Sequence, residues 1–151
     1  MASFIYTQCP AECPLISAQM AKVQDELERL DVLGSEAVLL SFSTDPFRDT
    51  PEVLREYAER FAADPEGWRF LTGPPRAWID TIQQGFALGV GYVDADGQLF
   101  DPFTSRPERY DVMHALNILL IDRDGVVRKH YVFPDFRLDT LLRDVRRAVQ
   151  R

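Results

Sequence analysis

Several features that commonly define a function class are scarce in this sequence. Its 151 residues contain only two cysteines, too few for a secreted scaffold held together by disulfides. The two histidines, His114 and His130, lie 16 positions apart, whereas those of a zinc finger lie roughly three to five residues apart. No stretch reaches the roughly 18 consecutive apolar residues of a membrane-spanning helix. These residues therefore exclude a disulfide scaffold, a zinc finger and a membrane span.

Positive charge is also in deficit. Lysine and arginine number 17 against 24 aspartates and glutamates, which gives a formal net charge of −7. Because nucleic-acid binding depends on basic patches that neutralise phosphates, we expect no nucleic-acid partner. The length favours one domain, since domains commonly run about 100–200 residues. A chain of this size folds without a disulfide or a structural metal, which leaves the two cysteines free for chemistry.

Strand-like and helix-like segments alternate along the chain. Short apolar runs predict strands at 3–7, 37–43, 69–72, 116–121 and 126–132. Apolar periodicity predicts a helix that begins at Pro14 and ends before Gly34, with Ile16, Met20, Val23, Leu27 and Leu30 on its inner face. Further helices are expected after an Asp49 or Thr50 cap, around Trp78, and over 138–149.

The order of these segments predicts an α/β, thioredoxin-like fold with a mixed central sheet flanked by helices. Residues 89–108 lack helical periodicity and form an insertion before the C-terminal hairpin, with one hairpin of their own at Asp96-Gly97. The C-terminal hairpin turns at Asp124-Gly125, a strong local hairpin signal.

Both cysteines lie where the first strand gives way to the first helix. Pro14 suits the first helical position, which would make Cys13 the cap residue, with Cys9 one turn earlier. A helix N-terminus stabilises thiolates, so we expect lowered pKa values for the two thiols. The decrease is expected to be smaller than at a site without an acid, because Glu12 places a carboxylate between them. Such a pair can exchange a disulfide for a bound soft metal, Cu(I) or zinc.

Two thiolates rarely complete a metal site, so a histidine is expected as a third ligand. His114 precedes the strand at 116–121, and in a thioredoxin-like sheet the segment entering this strand packs beside the cysteines. His130 lies on the next strand, where we expect it to be exposed at the sheet surface or edge.

The chain resembles the SCO/SenC family, thioredoxin-fold copper-binding proteins that help to mature the dinuclear copper site of cytochrome c oxidase. The resemblance runs from about residue 4 to the end and is carried by residues 4–14, 45–54, 70–73, and His114 with 119–125. It implies that Cys9, Cys13 and His114 bind copper, as Cu(I) or Cu(II). It also implies a copper-site subunit of the oxidase or another copper protein as partner, and a location in the bacterial periplasm or at the outer face of the inner membrane. The 45–52 stretch, although it resembles a family signature, is interpreted as a structural turn and helix cap.

The sequence departs from the family pattern in two places. Family members often carry an acidic residue directly before the histidine, where this chain has Met113, with Asp111 two places earlier. A carboxylate there can orient the imidazole, and Met113 is expected instead to fill an apolar gap. The second departure is the start of the chain inside a strand. We expect 1–151 to be a single thioredoxin-like domain that lacks the family's N-terminal membrane anchor and first strands.

Three other interpretations of the two thiols remain open. Cys9 and Cys13 are also the expected redox pair of a thiol–disulfide oxidoreductase that keeps a partner's cysteines reduced for metallation. The four-residue spacing argues modestly against this, since redox dithiols usually have two intervening residues. A peroxidase of the peroxiredoxin kind would need a threonine three residues before Cys9, where Tyr6 stands. Buried, inert cysteines are the remaining reading, and the flanking prolines argue against it.

Overall fold

The structure is a computed structural model and describes residues 1–150. It contains eight strands and four α-helices in that range, and α3 continues directly into a π-helical turn, Thr81–Gly85. In chain order the elements are β1 (Ala2–Ile5), α1 (Glu12–Arg29), β2 (Leu39–Ser43), α2 (Pro51–Glu59), β3 (Trp68–Leu71), α3 (Pro75–Asp80), β4 (Val90–Asp94), β5 (Leu99–Phe100), β6 (Tyr110–His114), β7 (Asn117–Ile121), β8 (Val127–Val132) and α4 (Leu138–Val149).

Five strands form a central mixed sheet in the order β3-β2-β1-β7-β8. β1 and β3 pair in parallel with β2, whereas β7 runs antiparallel to both β1 and β8. All four residues of β1 are buried, because helices cover one face of the sheet and the segment around the π-helical turn covers the other. A mixed sheet flanked by helices is thus the predicted architecture.

Helix α1 forms because its apolar residues recur on one face. Ile16, Met20, Val23 and Leu27 are fully buried, as their spacing predicts, and they pack in the same core as Leu141 of α4. The helix ends earlier than predicted: Asp31, at φ +58°, takes the left-handed conformation that closes it, and Gly34, at φ +77°, lies in the turn that follows. The amides of Asp31 and Val32 then bond back to the carbonyls of Glu28 and Leu27, which closes the helix end.

Most other predicted elements are found within a few residues of their predicted bounds. Thr50 caps α2, accepting a hydrogen bond from the Val53 amide, and α4 spans the predicted residues. The two hairpins turn at Gly97 and Gly125, both at φ +78°, as predicted.

The prediction that residues 89–108 are largely irregular was wrong in one respect, because this stretch contains two strands of a second sheet and leads into the third. β4 pairs with β5 on one side and with β6 on the other, in a three-stranded antiparallel sheet. β6 was missed although its burial alternates strictly, with Tyr110 and Val112 inward and Asp111 and Met113 outward. This alternation of apolar and polar residues is typical of a half-buried strand.

Glu26 connects α1 to α4 through two arginines. Its carboxylate accepts hydrogen bonds from Arg146 Nε at 2.5 Å and from Arg29 Nη2 at 2.6 Å, and the residue is only 8% exposed. Arg146 first, and Arg29 second, lower the pKa of Glu26 to about 2. No helix within residues 1–150 is both long and apolar enough to cross a membrane.

Replacing Glu26 by glutamine is expected to reduce stability in a pH-dependent way. The folded-state pKa of about 2 lies below the ordinary value of 4.5, so the stabilisation is complete above pH 4.5 and is lost as the pH falls towards 2. For Glu26→Gln we expect the free energy of unfolding to fall by about 1–3 kcal/mol at pH 7. Urea denaturation at pH 7 and pH 3 checks this, and an equal deficit at both pH values would contradict it.

Candidate metal and thiol site

The two cysteines lie on either side of the start of α1. Cys9 belongs to the loop after β1, and Cys13 is the second residue of the helix, which begins at Glu12. The prediction that Cys13 caps the helix was therefore wrong. The amide of Cys13 donates to Cys9 Sγ at 3.3 Å, so the Cys9 sulfur satisfies one of the otherwise free amides of the first turn. Pro14 fits at the third helical position because its missing N–H would also lack a partner within the helix.

His114 lies beside these cysteines, 101 residues after Cys13 in the sequence. Its Nε2 is 3.7 Å from Cys13 Sγ. The predicted approach is thus present, although the histidine is the last residue of β6 rather than part of a loop. Pairing of His114 with Val90 on β4 fixes its place at the sheet end.

The imidazole of His114 is held in one tautomer. Its Nδ1 lies 3.0 Å from the carbonyl oxygen of Ala115, which can only accept, so Nδ1 carries the proton and Nε2 presents its lone pair towards Cys13. The Tyr6 ring meets the imidazole edge to face, with ring centroids 5.9 Å apart. Burial lowers the pKa of His114, which favours the neutral ring that a metal requires.

The prediction of lowered thiol pKa values was wrong for Cys13. Burial raises the pKa of Cys13 far above its ordinary value, and a hydrogen bond with the Cys9 side chain raises it further. A backbone hydrogen bond from Tyr6 acts in the opposite direction but is outweighed. Because Cys13 is fully buried, the loss of hydration exceeds the benefit of the helix N-terminus.

Cys9 is slightly more accessible than Cys13. It is 7% exposed, and its thiol donates to the Glu12 carboxylate at 3.8 Å. Both cysteines are free and reduced in the structure.

The residues just before His114 do not take the roles expected of them. Asp111 and Met113 point away from the imidazole because β6 alternates its side chains between two faces. Met113 is 52% exposed, so the prediction that it fills an apolar gap was wrong. The Ala115 carbonyl, rather than a carboxylate, orients the histidine.

The second histidine is separate from this site. His130 is exposed on β8, an outer strand of the central sheet, as predicted. Across residues 1–150, no three histidine, cysteine, aspartate or glutamate side chains already stand as a cluster that could hold a metal ion.

Tyr6 is a residue of the site that the sequence interpretation overlooked. It is 5% exposed, and burial raises its pKa, with further contributions from Cys9, Asp111 and Cys13. Its position directly after an apolar strand and three residues before Cys9 was the available signal, but an aromatic there is also typical of a plain core residue.

Comparisons with known proteins agree on one family. A family model described as SCO1/SenC matches residues 1–150. A SCO1 protein homolog from Bacillus subtilis is 33% identical, over 87% of this chain and 60% of its own length. A protein from Stutzerimonas stutzeri whose name describes copper binding is 31% identical, over 93% of this chain and 60% of its own length. The chain thus spans about three fifths of these relatives.

Solved structures give the same result. A SCO1/SenC family lipoprotein from Bacillus anthracis is 28% identical with a TM-score of 0.76, covering 97% of this chain and 79% of its own. The structure of BsSco, described as a member of the Sco family of cytochrome c oxidase assembly proteins with a disulfide switch, is 26% identical with a TM-score of 0.69. That match covers 99% of this chain and 78% of the other. These likenesses confirm the thioredoxin-like fold class.

Cys13 is expected to react more slowly than Cys9 with alkylating reagents. It is fully buried and its raised pKa keeps the thiol protonated at neutral pH. In reduced protein at pH 7, we expect the Cys9→Ser variant to react with iodoacetamide at least about tenfold more slowly than Cys13→Ser, the change that one pKa unit produces.

Mass spectrometry of the alkylated peptides measures both rates. The same reaction in concentrated urea is the control, since unfolding should make the two thiols equally reactive. Equal rates in the folded protein would contradict the prediction.

Proposed function

Because the chain belongs to the SCO1/SenC family, we propose that it binds copper through Cys9, Cys13 and His114 and acts as a copper metallochaperone. Its role would be to assist assembly of the dinuclear copper site of cytochrome c oxidase. The observation that carries the proposal is the 3.7 Å contact between Cys13 Sγ and His114 Nε2, with Cys9 Sγ on the Cys13 amide.

The donor set suits copper. Thiolates are soft ligands that select Cu(I), and a neutral imidazole is a good third donor for either oxidation state. The His114 tautomer already leaves Nε2 free, because the Ala115 carbonyl accepts the Nδ1 proton and holds the ring in place. Cu(II) prefers additional oxygen or nitrogen donors, and the Glu12 carboxylate, 3.8 Å from the Cys9 sulfur, offers one.

Copper would be held here as cargo, and its binding would release protons. Thiols bind metals as thiolates, and the raised pKa of Cys13 means that its proton is still present at neutral pH. The bound metal would compensate for the burial of the thiolate. The burial of both cysteines also limits access of water to the ion.

A copper protein, such as the copper-site subunit of the oxidase, is the proposed partner. The Stutzerimonas stutzeri relative is named for copper binding, and BsSco is described as belonging to oxidase assembly proteins. A location outside the cytoplasm is proposed because the Bacillus anthracis neighbour is a lipoprotein.

A thiol–disulfide oxidoreductase is the second candidate. It is favoured by the proximity of the two cysteines, whose contact is the hydrogen bond from the Cys13 amide to Cys9 Sγ, and by the disulfide switch described for BsSco. In that role Cys9 and Cys13 would form the redox pair that keeps a partner's cysteines reduced for metallation.

Copper binding is expected to depend on three side chains. We expect one Cu(I) per reduced chain, lost when Cys9→Ser and Cys13→Ser are combined, since both soft ligands are then absent. His114→Ala should weaken binding, by about 10-fold or more for Cu(II), which prefers nitrogen donors. Competition titration with a copper chelator measures the affinities.

The matched control for this titration is His130→Ala. It removes the other histidine, exposed on β8, and should leave the affinity unchanged. Stoichiometric Cu(I) binding by the double cysteine variant would refute the ligand assignment.

The two candidate functions are expected to separate at His114. A metallochaperone needs the imidazole, so His114→Ala should reduce the transfer of copper to a soluble copper-site domain of cytochrome c oxidase by about tenfold or more. Metal analysis of the separated proteins measures the transfer. Reduction of that domain's disulfide needs only the two thiols. Transfer unaffected by His114→Ala, together with disulfide reduction at the unsubstituted rate, would favour the oxidoreductase.

A further inference from the structure

The turn after β2 buries two carboxylates beside the metal and thiol site. Asp45 is fully buried and Asp49 is 1% exposed. Buried charges are costly unless they are paired or hydrogen-bonded, so the partners of these residues show what the turn holds in place. Those partners lie on the cysteine loop and on the histidine strand.

Asp49 anchors the start of the cysteine loop. Its carboxylate accepts hydrogen bonds from the hydroxyl of Thr7 at 2.6 Å and from the Thr7 amide at 3.2 Å. It also accepts one from the Ser43 hydroxyl at 2.6 Å, at the end of β2. The loop is therefore tied to the central sheet two residues before Cys9.

Arg48 connects the same turn to both halves of the site. Its Nε bonds to the Asp45 carboxylate, and its Nη1 donates to Gln8 Oε1 at 3.0 Å and to the Tyr110 carbonyl at 3.1 Å. The guanidinium carbon lies 3.7 Å from the centroid of the Tyr110 ring, and the Tyr110 hydroxyl donates to Asp45 at 2.9 Å. One side chain thus touches the residue before Cys9 and the first residue of the strand that ends in His114.

This connection joins two separate sheets. The cysteine loop leaves β1 of the central sheet, whereas His114 ends β6 of the three-stranded sheet. The contact between Cys13 and His114 depends on how these sheets are placed, and Arg48 fixes the loop and β6 to one rigid group. A lysine cannot replace it, because only the planar guanidinium offers several donors in fixed directions and stacks on a ring at the same time.

We propose that Arg48 is a positioning residue for the site, which sets the separation of the cysteine loop from His114 and so the affinity for copper. The 45–52 stretch, interpreted from sequence as a turn and helix cap only, then has a second role in holding the ligands in place. The proposal rests on the proposed function for its copper readout but not for its structural one.

The test compares Arg48→Lys with a matched arginine variant. Arg146→Met also removes an arginine from a largely buried carboxylate, Glu26, but at the far end of α1 from the cysteines. We expect Arg48→Lys to weaken copper binding by about 10–100-fold, the range for changes to residues that position metal ligands, with one copper per chain retained. Arg146→Met should keep the affinity of the unsubstituted protein, because Arg146 does not contact the cysteine loop or β6.

A second readout needs no metal. The edge-to-face contact of Tyr6 with His114 should give nuclear Overhauser effects between the two rings in the unsubstituted protein. We expect these signals to be lost or strongly reduced in Arg48→Lys and retained in Arg146→Met. If the unsubstituted protein binds no copper, the proposed function fails, and this measurement alone decides the role of Arg48.

A smaller change guards against misfolding of Arg48→Lys. Gln8 is exposed, so Gln8→Ala removes one bond between Arg48 and the cysteine loop without opening the core. We expect a several-fold loss of copper affinity from it. The proposal is overturned if folded Arg48→Lys keeps both affinity and ring contacts, or if Arg146→Met loses as much affinity. Should Arg48→Lys not fold, unchanged affinity in Gln8→Ala overturns it.

Discussion

The contact between Cys13 and His114 joins two sheets at the point where the first helix begins. One partner is the second residue of α1, which follows β1 at the centre of the five-stranded sheet, and the other is at the end of β6 in the smaller sheet. Contacts that hold these two sheets together therefore help to set the distance between Cys13 Sγ and His114 Nε2. One such set of contacts joins Asp45 and Arg48, in the turn after β2, to Tyr110 of β6.

Burial decides the protonation of Cys13 and His114. At Cys13 the helix N-terminus and the Tyr6 backbone favour a thiolate, yet the loss of hydration is larger and the pKa rises. At His114 the same loss of hydration favours the neutral ring. The Cys13 thiol and the His114 imidazole are thus both neutral at neutral pH.

Local sequence patterns predicted most elements, because they depend on periodicity and turn chemistry that neighbouring residues determine. The α1 stripe, the Thr50 cap and the hairpins at Gly97 and Gly125 are of this kind. The approach of His114 to the cysteines was also predicted, since Cys9 and Cys13 are the only cysteines and the fold places His114 near Cys13; their role as metal ligands stays a prediction.

The predictions that were wrong or missing concern features that tertiary contacts determine. The pKa of Cys13 is set by packing from residues far away in the chain. The Ala115 carbonyl has no sequence signal for its role, and Arg48 lies in the 45–52 stretch, which was interpreted only as a turn and helix cap. The second sheet was missed because β4 and β6 are separated by many residues without regular pattern, although β6 itself alternates.

The pairing of β6 with β4 has a consequence for how this chain can change over time. His114 faces the cysteines only while it stands opposite Val90, because a slip of one residue would turn Met113 inward and the imidazole outward. An insertion or deletion in the loop between β5 and β6 would leave that parity intact. A single residue added within β6 would separate His114 from the Cys13 sulfur, even though all three side chains would still be present in the sequence.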